Sequence, residues 1–215
     1  MSATAAPAVP PPPVPPPHPA SRRGEPAWEV ALLFPAQGDW TEAEYLALDT
    51  NHLVELSEGC LEVLPMPTIA HQLIVGYLYD LLKAFVAAHA PGMALFAPLP
   101  VRLWSGKLRE PDIVYLRPER VRDRHSPPDG ADLVMEVVSE GSENRQRDLE
   151  TKRQEYAAAG IAEYWIVDPH EQRITVLARE GPTYRVHGVF APGTQAASAH
   201  LPGFRGAVEA AFAAA

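Results

Sequence analysis

The amino-acid sequence predicts an α/β (α+β) fold in which a mixed β-sheet is flanked by helices and carries added antiparallel hairpins. Three short runs rich in branched and aromatic residues predict strands of one sheet: DIVYL (112–116), DLVMEVV (132–138) and EYWIVD (163–168). Apolar residues recur at three- and four-residue steps through residues 68–89 and predict a long helix that covers this sheet.

The composition predicts a disordered N-terminal segment followed by a single domain of ordinary size. Residues 1–27 are dominated by proline and alanine and predict a disordered tail with polyproline II character, whereas residues 28–215 suit a single domain. The chain is 47% hydrophobic, and it contains no apolar run of the ~18 residues needed to cross a bilayer. Its single cysteine, Cys60, cannot form an internal disulfide. We therefore expect a soluble, cytoplasmic protein with no membrane partner.

Short elements precede the long helix. Thr41, with Glu44 three residues later, has the pattern of a capping box and predicts the start of a short helix. Residues 52–65 alternate on both sides of a Glu-Gly pair and predict a β-hairpin. His71 lies in the first turn of the long helix, where it could lie beside a metal site or simply cap and pack. We favour the structural role.

The middle of the chain predicts two further strands. They are MALFAP (93–98) and PVRLW (100–104). We expect the second to pair antiparallel with DIVYL across an SGKLRE loop (105–110). The charged, proline-punctuated stretch at 117–131 predicts a surface connection between the DIVYL and DLVMEVV strands.

The last part of the chain predicts two helices and a further antiparallel pair of strands. Residues 142–159 predict a helix that Gly160 ends. After the EYWIVD strand, residues 172–180 and 183–190 predict a closing antiparallel pair. Residues 201–212 predict a final turn and a short helix.

Two of the central strands carry a carboxylate where an apolar residue would be expected. Side chains alternate across a strand, so Glu136 shares a face with Val134 and Val138, and Asp112 opens its strand directly after Pro111. A buried carboxylate needs a cation or a good hydrogen-bond partner. Carboxylates on successive strands could share a divalent cation such as Mg²⁺, which takes one or two carboxylates and keeps several waters. A site of this kind is what phosphodiester hydrolysis needs.

One lysine could complete such a site. Asp148, Lys152 and Tyr156 follow at four-residue spacing in the helix after the Glu136 strand and share one face. The residues alone leave two interpretations of Lys152 about equally supported. It either forms a surface ion pair with Asp148, worth about a few tenths of a kcal/mol, or leans toward the strand carboxylates and orients the attacking water.

The motifs, taken in order, resemble a known family. A PD pair, a strand glutamate in EVVS, and then RDLETKRQEY, AAGIAEYWIVDP and LPGF resemble the Uma family, whose members are described as bacterial restriction endonucleases. That family belongs to the PD-(D/E)XK nuclease superfamily, and the resemblance covers about residues 39–212. It implies a restriction-endonuclease-like core, DNA as substrate, and Mg²⁺ or Mn²⁺ held by Asp112 and Glu136. The superfamily lysine normally stands two residues after the glutamate, at Val138 here, and the resemblance places it on Lys152.

Charge weighs against a nonspecific DNA binder. The net charge is −9, and nonspecific DNA affinity comes mostly from neutralised phosphates. Basic residues nevertheless cluster around the two strand carboxylates: Arg102, Lys107, Arg109, Arg117, Arg120, Arg122, Arg124, Arg145, Arg147, Lys152 and Arg153. This interspersed pattern is more typical of a solvated basic face than of a DNA-binding patch.

Several functional classes are excluded and two alternatives stay open. The sequence has no P-loop, CxxC pair or GxSxG elbow, which excludes NTPase, structural-zinc and serine-hydrolase functions. One alternative is a nuclease-like domain that binds DNA or a protein partner without cutting. The other, ranked last, is a glycosidase that uses Asp112 and Glu136 as an acid–base pair. For a duplex cutter we expect a homodimer, because two-fold symmetry supplies one active site per strand.

Overall fold

The described part of the chain falls into two units. The computed structural model describes Arg23 and residues 28–50, 52–139 and 141–215. The units are Met1–Ala36 and Gln37–Ala215. In the first unit, the helix α1 spans Trp28–Ala31. The predicted tail at 1–27 lies outside the described residues apart from Arg23, so the predicted domain boundary stays a prediction.

The second unit contains the strands and the remaining helices. Its strands, in chain order, are β1 (Val54–Ser57), β2 (Cys60–Val63), β3 (Met93–Phe96), β4 (Val101–Trp104), β5 (Lys107–Arg109), β6 (Ile113–Leu116), β7 (Leu133–Val137), β8 (Glu163–Asp168), β9 (Arg173–Glu180), β10 (Thr183–Phe190), β11 (Gln195–Ala197) and β12 (Arg205–Ala207). Its helices are α2 (Glu42–Leu46), α3 (Ile69–His89), α4 (Ser142–Gln146), α5 (Lys152–Ala158) and α6 (Val208–Ala213). A π-helical turn, Arg147–Thr151, joins α4 to α5.

A six-stranded sheet forms the centre of this unit. Its order is β10-β9-β8-β7-β6-β3. Strands β7 and β8 are parallel, and every other neighbouring pair is antiparallel. Parallel neighbours need a crossover connection, and here α4, the π-helical turn and α5 provide it. The predicted mixed sheet flanked by helices is confirmed.

The two faces of the sheet pack against different helices. Leu133, Met135 and Val137 of β7 lie in the apolar core with side chains of α3 and α6. Val134 of β7 packs on the opposite face, in a cluster that includes residues of α5. The alternation predicted for this strand is therefore present, and it directs Glu136 toward the α5 side.

A second, four-stranded sheet corrects one expected strand pairing. Its order is β2-β1-β5-β4, and β4 pairs antiparallel with β5 rather than with β6. The expected SGKLRE loop is wrong because Ser105 and Gly106 make a two-residue turn, with Gly106 at φ 80°, and the chain re-enters a strand at Lys107. Strand β6 instead pairs with β3.

The predicted hairpin and capping box are confirmed. Strands β1 and β2 pair antiparallel around Glu58 and Gly59, which have φ values of 50° and 78°. Two successive positive φ values match the twist that a two-residue hairpin turn requires. At the start of α2, the backbone N–H of Glu44 donates to the Thr41 hydroxyl, and the Glu44 carboxylate accepts from the Thr41 backbone N–H.

The long helix α3 covers the sheet as predicted. Its N-cap is Thr68, and its buried side chains lie in the core of the central sheet. Two apolar residues of the predicted pattern, Ile69 and Leu73, are exposed, whereas Ile74 is fully buried. By length and composition alone α3 could cross a membrane. One face of α3 packs against the sheet, through Ile74, Val75, Leu78, Leu82 and Val86.

The end of β8 leads to a pH-dependent prediction. The carboxylate of Asp168 accepts two hydrogen bonds from the Arg145 guanidinium, at 3.0 and 2.8 Å, and two more from the backbone N–H groups of His170 and Glu171. Burial raises the pKa of Asp168, but these donors outweigh it and hold the pKa below its usual value. The folded protein therefore binds this proton less readily than the unfolded chain does.

We expect Asp168→Asn to lower the free energy of unfolding by about 1–2 kcal/mol at neutral pH. A depressed pKa stabilises the fold above the unfolded value of about 4, and this contribution is lost as the pH falls through the lower, folded value. The difference between wild type and variant should therefore shrink in acid, as measured by urea unfolding at several pH values. Glu171→Gln, on the same turn with a half-exposed side chain, is the control. A difference that does not vary with pH would contradict the prediction.

Candidate active site and metal centre

The two predicted carboxylates lie side by side. Asp112 immediately precedes β6, and Glu136 lies in β7, which pairs antiparallel with β6. Ile113 pairs with Met135, so continuing the register by one residue brings Asp112 opposite Glu136. The backbone N–H of Val137 donates to Oδ2 of Asp112 at 2.7 Å. The short hydrogen bond orients this carboxylate toward β7.

Glu136 is held by two side chains from α5. Its Oε1 accepts hydrogen bonds from Nζ of Lys152 at 2.8 Å and from the hydroxyl of Tyr156 at 2.5 Å. Nζ of Lys152 also lies 3.4 Å from Oδ1 of Asp148. Glu136, Asp148 and Lys152 are each only 3% exposed. The interpretation of Asp148 and Lys152 as a surface ion pair is therefore wrong.

Burial and charge together set the protonation of this group. Burial raises the pKa of Glu136, with Lys152 opposing the shift and Asp112 and Asp148 adding to it. Burial lowers the pKa of Lys152, but Glu136, Glu55 and Asp148 outweigh it and raise the pKa above its usual range. Several carboxyls thus share one ammonium. Lys152 carries its proton at neutral pH, so it can donate hydrogen bonds and positive charge but cannot act as a base.

Glu55 is a member of this group that sequence reasoning missed. It lies in β1, is fully buried, and has Oε1 3.8 Å from Nζ of Lys152. Its Oε2 accepts from the Arg109 guanidinium at 2.6 Å, and its Oε1 accepts from the backbone N–H of Glu110 at 2.9 Å. The signal was available, since Glu55 is a carboxylate between apolar neighbours in a strand, as Glu136 is.

His71 lies in the site rather than only in the helix cap. Its Nε2 is 3.3 Å from Oδ2 of Asp112. Burial lowers the pKa of His71, but the hydrogen bond and the charge of Asp112 outweigh it and raise the pKa. The structural role that the sequence favoured is incomplete, because His71 contacts one of the two candidate metal ligands.

A cavity of about 170 Å³ lies beside these side chains. It is lined by both candidate ligands and by cationic and carboxyl groups around them: His71, Glu110, Asp112, Glu136, Arg147, Asp148 and Lys152. Carboxylate oxygens are the ligands that Mg²⁺ and Mn²⁺ prefer. Among the described residues, no three His, Cys, Asp or Glu side chains are grouped so that they could hold a metal ion together. The residues fit a hard cation that would be held by Asp112 and Glu136, with water completing its coordination.

The basic cluster expected around the Asp112 strand is largely paired within the protein. Arg109 is 1% exposed and Lys107 is 4% exposed, and both contact the carboxylate of Glu155. Arg102 forms an ion pair with Asp129 at 2.8 Å. The expected solvated basic face is therefore wrong for Lys107 and Arg109, whose charges are buried and paired.

Comparisons with known proteins agree with this architecture. A family model described as "Uma2: Putative restriction endonuclease" matches residues 42–209. Among solved structures, the chain is similar to a "putative nuclease belonging to DUF820" from Anabaena variabilis ATCC 29413, with a TM-score of 0.66 and 20% identity. That match covers 81% of this chain and 98% of the other. No match is found among curated proteins. The family match spans most of the sequence, and the chain therefore belongs to the Uma2 family of putative restriction endonucleases.

Proposed function

We propose that this protein is a metal-dependent endonuclease that hydrolyses phosphodiester bonds of DNA, with Asp112 and Glu136 as ligands of Mg²⁺ or Mn²⁺. The observation that carries the proposal is the pair of adjacent strand carboxylates at one cavity, with the Lys152 ammonium 2.8 Å from Glu136. The family and the similar solved structure support a nuclease in general terms.

Each residue of the cavity would have its own role in phosphodiester hydrolysis. Water adds to phosphorus, a P–O ester bond breaks, and the leaving oxygen takes up a proton. A bound metal ion would supply an activated water and offset negative charge on the phosphate. Lys152, held as an ammonium, orients the attacking water and stabilises charge on the phosphate oxygens. His71 holds Asp112 in place through Nε2.

The position of the lysine supports its assignment. The superfamily position two residues after the glutamate is Val138, which packs in the apolar cluster on the α5 side of the sheet. Lys152 reaches the same glutamate from the following helix instead. A lysine on α5 can therefore take the place that a strand lysine would otherwise hold.

A non-catalytic nuclease-like domain that binds DNA or a protein partner is the second candidate. It is favoured by the net charge of −9 and by the internal pairing of Lys107, Arg109 and Arg102, which leaves less positive charge for a nucleic acid. For the endonuclease, we propose a homodimer that presents one site to each strand.

Plasmid cleavage separates the two candidates. We expect the purified protein to nick or linearise supercoiled plasmid with Mg²⁺ or Mn²⁺, and we expect EDTA to stop the reaction. Asp112→Asn, purified in parallel, serves as the control for contaminating nucleases and should lose at least about a hundredfold in rate. If the wild type neither cleaves plasmid nor binds either metal by calorimetry, the endonuclease proposal is wrong and the binding domain is the better account.

A further inference from the structure

The cavity beside the carboxylates contains polar atoms that nothing in the described protein satisfies. Three buried side-chain atoms among the described residues have no hydrogen-bond partner: Nδ1 of His71, Oε2 of Glu110 and Nε of Arg147. All three residues line this cavity. Buried polar atoms are nearly always paired in folded proteins, by the protein, by water or by a ligand. Their concentration at one cavity indicates a site where a polar molecule binds.

The π-helical turn brings Arg147 to the face of the helix that carries Lys152. In a regular α-helix, residues five positions apart are separated by about 140° around the axis. Here the backbone N–H of Lys152 donates to the carbonyl oxygen of Arg147, so the two residues are related by the wider, five-residue turn. They consequently lie nearly above one another. The inserted residue is what allows both side chains to line the same cavity.

Of the Arg147 and Lys152 side chains that line the cavity, Arg147 has the weaker contacts with carboxylates of the protein. Nζ of Lys152 lies within 3.4 Å of two carboxylates, those of Glu136 and Asp148. The contact of Arg147 with a described carboxylate is a distant one, with Nε 3.8 Å from Oδ1 of Asp148, beyond hydrogen-bond range. Arg147 thus has more donors to offer an incoming anion than Lys152, whose ammonium already faces two carboxylates.

We propose that Arg147 binds a non-bridging oxygen pair of the substrate phosphate, in the same cavity as the carboxylates that would hold the metal. This inference rests on the nuclease function proposed above and adds a substrate-binding residue to it. The planar guanidinium fork matches two phosphate oxygens, and the cavity is otherwise rich in carboxyl groups that repel an anion. Arg147 thereby supplies attraction for phosphate that the acidic chain as a whole does not supply.

The test compares Arg147→Gln and Arg147→Lys with wild type in metal-dependent plasmid cleavage and in binding of a fluorescein-labelled DNA duplex with Ca²⁺. We expect Arg147→Gln to weaken both by about tenfold to a hundredfold, because it removes hydrogen bonds to a charged group. Arg147→Lys keeps the positive charge but loses the planar guanidinium fork. Its cleavage rate and duplex affinity should therefore lie between those of Arg147→Gln and wild type. Arg185→Gln, the same change at an exposed position on the distant edge strand β10, should match wild type.

A second measurement keeps this inference separate from the proposed function. Binding of inorganic phosphate in the presence of Mg²⁺, followed by ³¹P line broadening, needs neither DNA nor cleavage. Broadening with wild type that is lost in Arg147→Gln supports the phosphate site even if the protein proves not to cut DNA. Equal broadening with both proteins, or none with wild type, overturns it. So does unchanged duplex binding and cleavage in Arg147→Gln, and that result would leave the endonuclease proposal standing.

Discussion

Replacing Lys152 with methionine is expected to lower the free energy of unfolding by about 3–5 kcal/mol and to remove metal-dependent cleavage. The Lys152 ammonium is buried, with Nζ 2.8 Å from Glu136, 3.4 Å from Asp148 and 3.8 Å from Glu55. Methionine fills much of the same volume, so the loss comes from the missing charge rather than from a cavity. Urea unfolding at neutral pH measures the change in stability.

The double variant Lys152→Met/Glu136→Gln tests the electrostatic cause. It removes the ammonium together with the nearest carboxylate, so it should be more stable than Lys152→Met alone, with a coupling of about 1–3 kcal/mol in a double-mutant cycle. Lys83→Met, at an exposed position on α3, should stay within about 0.5 kcal/mol of wild type. If Lys152→Met unfolds at the same urea concentration as wild type, the lysine is not the counter-charge of the buried carboxyls.

The strand carboxylates could be predicted from the sequence because their signal is local. A side chain alternates faces with every residue, so an acid among apolar neighbours stands out within five or six positions. Successive strands are commonly neighbours, which made the proximity of Asp112 and Glu136 a reasonable expectation. The structure has both features, since β6 and β7 pair with Asp112 at the position opposite Glu136.

The partners of those carboxylates could not be predicted, because they come from distant parts of the chain. Glu55 reaches Lys152 from the second sheet, and Arg109 reaches Glu55 from the strand beside it. Sequence shows that a residue is charged, but it does not show which charge it will meet after folding. For the same reason the sequence predicted Lys107 and Arg109 on a solvated basic face, whereas the fold buries both against carboxylates.

The π-helical turn also has no sequence signal of its own. Residues 142–159 have the composition of an ordinary helix, and the predicted four-residue spacing correctly brought Asp148, Lys152 and Tyr156 together. Spacing by 3.6 residues per turn would have set Arg147 apart from them. The extra residue in the π-helical turn places Arg147 in the cavity lining. The turn depends on tertiary packing, so the periodicity of the sequence does not predict it.

Replacing Glu136 with glutamine is expected to abolish binding of Mg²⁺ and Mn²⁺ and to lower DNA cleavage about a thousandfold or more, while the fold is kept. Glutamine has the shape of glutamate and its amide oxygen can still accept from Lys152 and Tyr156, but it offers no negative charge to a cation. Lys152 retains Asp148 as a counter-charge. The free energy of unfolding should therefore change by no more than about 1–2 kcal/mol.

Calorimetric titration of each metal, followed by plasmid cleavage on the same samples, measures both effects of Glu136→Gln. Glu150→Gln removes one carboxylate from an exposed position of the π-helical turn and should bind metal and cut DNA as wild type does. Metal binding that survives in Glu136→Gln would mean that the cation lies elsewhere. Loss of cleavage with metal binding intact would instead assign Glu136 to holding Lys152, because that ion pair is the other interaction the substitution weakens.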